Sequence, residues 1–265
     1  MKKIIFGLIA TVMFNFGGNA QNVTNDLVTN NIENLYASNE LPILDLDYNN
    51  AIVKRKWWQT CIVDAAGALG GAASVVSFTS GVASLTPLGW GAVAGGAVLG
   101  GAGASLARVG NVRPTDNGIK NLSNTINELD YVGVKHNQII NDYFLNYSEY
   151  NTKDYFEFIN KNKSKYDIEK IYFDEKYLEE QASIIRGLDT EDKIFEYALI
   201  GLPLEINKDE FKIFLNSLNY IESDDEFISE IKVYENKLLS GKLSVDTKLK
   251  LSSFFSTIRY SSNLW

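Results

Sequence analysis

The sequence predicts an all-α protein in which a glycine-rich helical hairpin is followed by an amphipathic helical bundle. Two observations carry that expectation. Residues 65–107 contain no charged side chain, a run of 43 positions with Pro87 near its middle. From Asn117 to Trp265, apolar residues recur three and four positions apart behind capping residues, the spacing of one helix face.

Composition narrows the chemistry. The chain has 265 residues and a formal net charge of −8, and its 45% hydrophobic content is enough to build a core over most of its length. Cys61 is the single cysteine, which excludes an intramolecular disulfide and a cysteine-based zinc cluster. His136 is the single histidine, which removes HExxH metalloproteases and multi-histidine metal sites. The acidic balance argues against nucleic-acid binding. That acidity is concentrated in residues 124–265, with 26 acidic and 17 basic side chains against 7 and 8 in residues 1–123, and it reads as a solvated helical surface.

Residues 1–20 have the pattern of a signal peptide. Lys2 and Lys3 precede the uncharged, largely apolar stretch Ile4 to Phe16, and small residues precede a cut after Ala20. No lipobox cysteine is present, and removal of the two lysines takes the net charge from −8 to −10. Export to the periplasm, cell envelope or extracellular space is therefore expected. Residues 21–56 are polar and Asn-rich with Pro42, and predict extended chain with a short helix around Asp26 to Tyr36.

Residues 57–113 form the hydrophobic hairpin. Ala65 to Leu85 and Leu88 to Ala107 are each long enough for a helix of roughly 30 Å, the thickness of a bilayer's hydrocarbon core. Thr86-Pro87 supplies the turn, because proline disfavours the α conformation before it. Twelve of the 20 glycines lie between Gly67 and Gly110. Gly67/Gly71, Gly91/Gly95 and Gly96/Gly100 are GxxxG pairs, Ala92, Gly96, Gly100 and Ala104 form a longer ladder, and Ala66, Gly70 and Ser74 repeat the spacing. Small residues four apart let two helix backbones approach closely, in a membrane or in an oligomer. Lys54, Arg55, Lys56, Trp57 and Trp58 at one entrance, with Arg108 and Arg113 at the other, fall at one end of the hairpin like interfacial anchors, and Trp90 sits beside the turn. Asp64 breaks the pattern and must stay near the headgroups or pair with a flanking base.

Two placements satisfy this segment: insertion into a membrane, or burial as the central hairpin of a soluble bundle. A flexible linker would leave Val75, Val76, Phe78, Val82, Leu85, Val93, Val98 and Leu99 exposed. Alanine and glycine insert weakly, so such a segment can pass an export channel, and its basic flanks lie on the exported side. Both points favour a conditional inserter over a resident inner-membrane protein.

The helical C-terminal domain, residues 117–265, reads as five or six helices with short connections, hence a bundle. Ile119, Leu122, Ile126 and Leu129 suggest the first. Asp174 to Arg186 carries Tyr177, Leu178, Ala182 and Ile185, with Gly187 at the C-cap. Asn207 with Glu210, and Ser223 with Glu226, have capping geometry before Phe211, Phe214, Leu215 and Leu218, and before Phe227, Ile231, Tyr234 and Leu238 up to Gly241. Ser244 opens the last helix, through Leu249, Phe254, Phe255 and Ile258. Aromatic stripes at this spacing are core rather than a cofactor site.

Trp57-Trp58-Gln59-Thr60-Cys61-Ile62-Val63-Asp64-Ala65-Ala66-Gly67-Ala68-Leu69-Gly70-Gly71-Ala72 resembles the Gly/Ala-rich segments of class II bacteriocins and other glycine-zipper proteins. Gly18-Asn19-Ala20-Gln21 resembles the signal endings of exported Bacteroidota proteins. Asp130-Tyr131-Val132-Gly133-Val134-Lys135-His136-Asn137, with Tyr260-Ser261-Ser262-Asn263-Leu264-Trp265, is similar to an uncharacterised exported family of that phylum, which pairs a glycine-rich segment with a helical tail. The last resemblance spans most of the mature chain and implies no established activity. Bacteriocin precursors are usually short and cut after a double glycine, and this chain departs from both habits.

No catalytic constellation accompanies His136, which reads as a structural His-Asn pair after Gly133. There is no GxSxG, P-loop or Rossmann fingerprint. Glu179/Glu180 and Asp224/Asp225 suit helix starts or solvated faces. Cys61 is a small apolar residue, or a site of intermolecular disulfide formation in an oxidising compartment. The expectation is therefore a non-enzymatic exported protein, without metal or cofactor, whose hairpin associates with a membrane or with other copies and whose tail carries or recognises. The alternative is a soluble envelope protein that binds a protein partner, with the hairpin as its core.

Overall fold

The computed structural model describes residues 48–78, 87–168 and 175–265. The export signal, the polar segment up to residue 47 and the Thr86 turn lie outside them. Among the described residues there is no strand, and the helices form a bundle around the glycine-rich pair. The helices are α1 (Tyr48–Phe78), α2 (Pro87–Val109), α3 (Tyr131–Asn146), α4 (Thr152–Lys161), α5 (Glu175–Arg186), α6 (Glu191–Ile200), α7 (Lys208–Ser217), α8 (Asp224–Ser240) and α9 (Val245–Ser261). Short 3-10 turns follow α4 and α7.

Local chemistry explains most helix starts. Asn151, Thr190, Asn207, Ser223 and Ser244 each accept backbone N–H groups of the first turn through the side chain. These are groups that an α-helix cannot pair internally. The cap residues expected at 207, 223 and 244 are among them. Gly187 and Gly241 follow α5 and α8, and both end their helices without the left-handed conformation.

The segment expected to be the first bundle helix is not one. Ile119, Leu122, Ile126 and Leu129 lie in turns and irregular chain, and Ile126 is exposed. Asparagine chemistry overrides the apolar spacing. Asn121 takes the left-handed region at φ 61°, and the side chains of Asn124 and Asn127 accept the N–H groups of Ile126 and Leu129. Such local bonds offer the backbone an alternative to the helix ladder. Asn124 and Asn127 are themselves buried, and hold this segment against α8 and α9.

The core has three centres. In α1, every residue from Cys61 to Leu69 is buried, and α2 is buried over Val93–Leu99 and Gly101–Ala107. A helix apolar all round must be enclosed on all sides. α2 packs on α3, α5 and α9. Tyr155 of α4 donates its hydroxyl to the Leu99 carbonyl at 3.0 Å. The second centre is aromatic. Phe211, Phe214, Tyr234, Phe254 and Phe255 join α7, α8 and α9, with Phe214 and Tyr234 stacked at 4.1 Å. Tyr143, Phe158 and their neighbours make a comparable cluster between α3 and α4.

Candidate functional site

The glycine ladder closes inside one chain. A Cβ on Gly67 would lie 2.7 Å from the Gly100 carbonyl oxygen and would also strike the Ala104 methyl. One on Gly71 would meet the Gly96 carbonyl carbon at 2.9 Å, and one on Gly100 would meet the Gly71 Cα at 2.9 Å. Because the obstacles are backbone atoms, any side chain at these positions must drive α1 and α2 apart. Two further α2 glycines serve other neighbours. A Cβ on Gly101 would sit 3.1 Å from His136, and one on Gly103 would sit 3.2 Å from Tyr155.

The remaining ladder glycines lie elsewhere. Gly70 faces the Tyr177 hydroxyl at ordinary contact distance. Gly91 and Gly95 line an open groove of about 240 Å³ with Tyr131, Lys135, Tyr166 and Ile168. Among the anchor residues, Trp58 is buried against Phe195, Trp57 packs edge-on to Phe227, and Trp90 is half-buried. Arg108 donates to the Leu188 carbonyl, and Arg113 is exposed. The side chains of Lys54, Arg55 and Lys56 lie outside the described residues.

Asp64 lies in the interior, away from any water-facing surface. Its side chain is fully buried where α1, α2, α3 and the chain after α9 meet. Oδ2 accepts from Ser105 Oγ at 2.8 Å, from Ser261 Oγ and from Trp265 Nε1 at 3.1 Å. Oδ1 has no partner. His136, also fully buried, places Nε2 3.7 Å from Asp64 Oδ2, too far for a hydrogen bond. Burial pushes the Asp64 carboxyl up to about 7, against the opposing pull of its three donors and Arg108. Burial lowers His136 to about 4, opposed by its bonds to Asn137 and the Gly101 backbone. Burial therefore favours the neutral form of each group, while the three donors on Asp64 Oδ2 favour its carboxylate. The Cys61 thiol one turn before Asp64 is pushed up by burial and stays protonated.

A second polar node centres on Arg259 of α9, close in sequence to Ser261, and is built oppositely. Arg259, fully buried, donates Nε to Glu235 Oε2 at 3.0 Å and Nη2 to Glu235 Oε1 at 3.1 Å. Nη2 also reaches Asp130 Oδ1 at 2.5 Å, and Nη1 donates to the Leu122 carbonyl. Asn124 and Asn127 donate to the two oxygens of Glu235. Ser123 and Tyr260 donate to Asp130 Oδ2. This bidentate, saturated arrangement is what a buried ion pair needs. Sequence reasoning missed it. The visible signal was the repeated asparagine at 117, 121, 124 and 127, which is turn and side-chain-bonding chemistry rather than helix.

Neither node is arranged for nucleophilic catalysis. Ser105 and Ser261 donate to Asp64, whereas an activated serine donates to a histidine that is held in turn by the carboxylate. Among the described residues, no cluster of three or more His, Cys, Asp or Glu could hold a metal ion. The chain matches no known family model, no curated protein and no solved structure.

Proposed function

We propose that this is an exported, non-enzymatic protein that stores a membrane-active hairpin inside a helical sheath. One observation carries the reading: Gly89–Val109 is 21 residues long and apolar enough to cross a membrane, yet 78% of its most apolar window is buried inside the bundle. Helices this rich in glycine are poor in water without a tightly packed partner. Here the partner is the other arm of the same hairpin, so α1 and α2 are already assembled and need only leave the sheath. Amphipathic helices such as α4, α5 and α7 can trade their contacts with the hairpin for contacts with a membrane surface.

The test is flotation and dye release with the full mature chain and two vesicle preparations, anionic and zwitterionic. The reading expects the protein to float with at least one and to release dye. Protein that stays at the bottom of the gradient and leaves both dyes trapped overturns it.

A second reading keeps the hairpin as permanent core and makes the protein a binding module. It is favoured by Leu204, fully exposed, and Ile200, 77% exposed, which stand close in sequence at the end of α6. It predicts no vesicle effect and a drop in partner binding when these two are made polar.

A further inference from the structure

One short segment ties both arms of the hairpin to α9. Beyond α9 the chain turns back on itself, with Asn263 N donating to the Tyr260 carbonyl at 3.1 Å and Leu264 N to the Ser261 carbonyl at 2.9 Å. That turn brings Trp265 onto α1, where Nε1 donates to Asp64 Oδ2 at 3.1 Å. The same segment holds the chain that leaves α2. Thr115 N donates to the Leu264 carbonyl and Asn117 N to the Asn263 carbonyl, each at 3.0 Å. Ile119 N donates to Asn263 Oδ1 and Asn263 Nδ2 to Asp116 Oδ1, both at 2.8 Å. Asn117 Nδ2 adds a bond to the Ser262 carbonyl at 3.3 Å. We propose that residues 262–265 and 115–119 form a clasp, which opens as one unit while the rest of the bundle stays folded and is the first tie on the hairpin to give way.

The bonds are interlocked, so they are lost together. Asn263 accepts through its main-chain and its side-chain oxygen, and Asp116 Oδ1 accepts from Gly118 N at 2.9 Å as well as from Asn263. The moving stretch also has natural ends. Gly110 and Gly118 both sit at φ +66°, a region that glycine enters without a steric penalty. The Gly110 carbonyl stays bonded to Tyr150 N at 2.9 Å, so the stretch that swings begins after it. Finally, the clasp is weakly protected. Thr115, Asp116, Asn117 and Gly118 are exposed, and water competes for their bonds. Exposed backbone hydrogen bonds with few apolar contacts place a segment at the low end of local stability. α9 lies at the opposite end, because most of its length is buried and Arg259 is paired with Glu235.

The connectivity gives the clasp its consequence. While it is shut, Trp265 pins α1 through Asp64, and the chain beyond α2 cannot swing away from the end of α9. Neither arm of the hairpin can then leave. Opening is a first step and not the whole release, because Ser261 still donates to Asp64 and Arg108 to the Leu188 carbonyl.

Native-state hydrogen exchange on the mature chain tests the clasp, read by NMR at the amides of Thr115, Asn117 and Ile119 and at the Trp265 indole N–H. The expected result is one common opening equilibrium for all four, roughly tenfold or more above that of the buried amides of α2 and α9. Protection equal to that of α2 and α9, or four unrelated equilibria, overturns the proposal. Two variants add a second measurement. Asn263→Ala removes the bonds to Ile119 N and Asp116, and Trp265→Phe removes the indole donor but keeps an aromatic ring. Each should raise opening at Thr115 and Asn117 by roughly fivefold, with α2 and α9 unchanged. An effect confined to the lost partners, or an equal rise throughout the chain, also overturns it. If neither variant folds, the wild-type exchange pattern decides alone.

The clasp does not rest on the membrane reading. Combined with it, a chain carrying Asp116→Cys and Asn263→Cys should stop releasing dye when a short thiol-reactive reagent joins the two positions, and should release it faster than wild type when unjoined. Cys61 is buried and out of the reagent's reach. Dye release from the joined chain at the wild-type rate overturns the gating role. If vesicles never leak but the exchange pattern holds, the membrane reading fails and the clasp remains.

Discussion

α2 and α9 are both enclosed helices, and they reach that state by opposite chemistry. α2 is built of glycine, alanine and a few aliphatics, and it is buried because missing side chains let α1, His136 and Tyr155 come close. α9 has Ser252, Ser253, Ser256, Thr257, Arg259 and Ser261 buried beside Phe254, Phe255 and Ile258. It is enclosed because many of those polar atoms have a specific partner. Ser256, for example, accepts from the Gly133 N–H at 2.8 Å and donates to the Asp130 carbonyl at 2.6 Å. Burial by close approach tolerates no added atom, whereas burial by hydrogen bonding tolerates no lost partner. On the membrane reading, the helix that changes environment is the first kind. Its polar ties to other elements include Ser105, Arg108 and the Leu99 carbonyl. The helix that cannot is α9, whose charges are satisfied only in this arrangement.

Changing each helix in its own manner tests the contrast. The largest effect is expected at Arg259. Arg259→Ala leaves Glu235 buried without a counter-charge, and should cost about 3–5 kcal/mol in urea denaturation. Arg259→Lys should recover little, since one ammonium cannot replace the two-pronged contact with Glu235.

Next comes Gly100→Leu, which tests the other mode. Leucine forms helix better than glycine, but its Cβ would press on the α1 backbone at Gly67 and Gly71. A loss of about 3 kcal/mol in thermal or urea stability is expected. Gly96→Leu is the companion variant, because the Gly96 carbonyl lies against Gly71 and puts this stretch of α2 at the contact. On the membrane reading, both variants also lose dye release while flotation holds or strengthens, since hydrophobicity rises.

A smaller change is expected at Ser256. Ser256→Ala leaves the Gly133 N–H buried without its acceptor, and should cost about 1–3 kcal/mol in the same assay. Leu204→Ser is the weakest perturbation. Leu204 is fully exposed, so stability should stay within about 0.5 kcal/mol. A larger loss there would mean that α6 is held by contacts of a kind that neither helix represents.

Some of this was legible in the residues alone. α5, α7, α8 and α9 followed from apolar spacing and from caps whose action is local, as at Asn207, Ser223 and Ser244, whereas α6 behind Thr190 did not. A close helix contact was legible from small residues four apart, but that spacing left open whether the second helix belongs to the same chain or to another copy, and the structure sets α1 against α2. The helix expected around Ile119–Leu129 failed for a physical reason. Its apolar spacing is real, but Asn124 and Asn127 bond more strongly to distant Glu235 and to the local backbone than a helix ladder could repay.

By itself, the sequence determined that the protein is helical, where most of its later helices begin, and that an uncharged hairpin must find close, dry surroundings. These properties depend on neighbours within a few positions along the chain. Only the tertiary structure decided that α9 is enclosed on all sides, that Arg259 meets Glu235 and Asp130, and that Asp64 ends buried opposite His136. A charged or titratable group in isolation looks the same on any polar helix face. Its partner and its protonation are set by which distant segments surround it and how completely they exclude water.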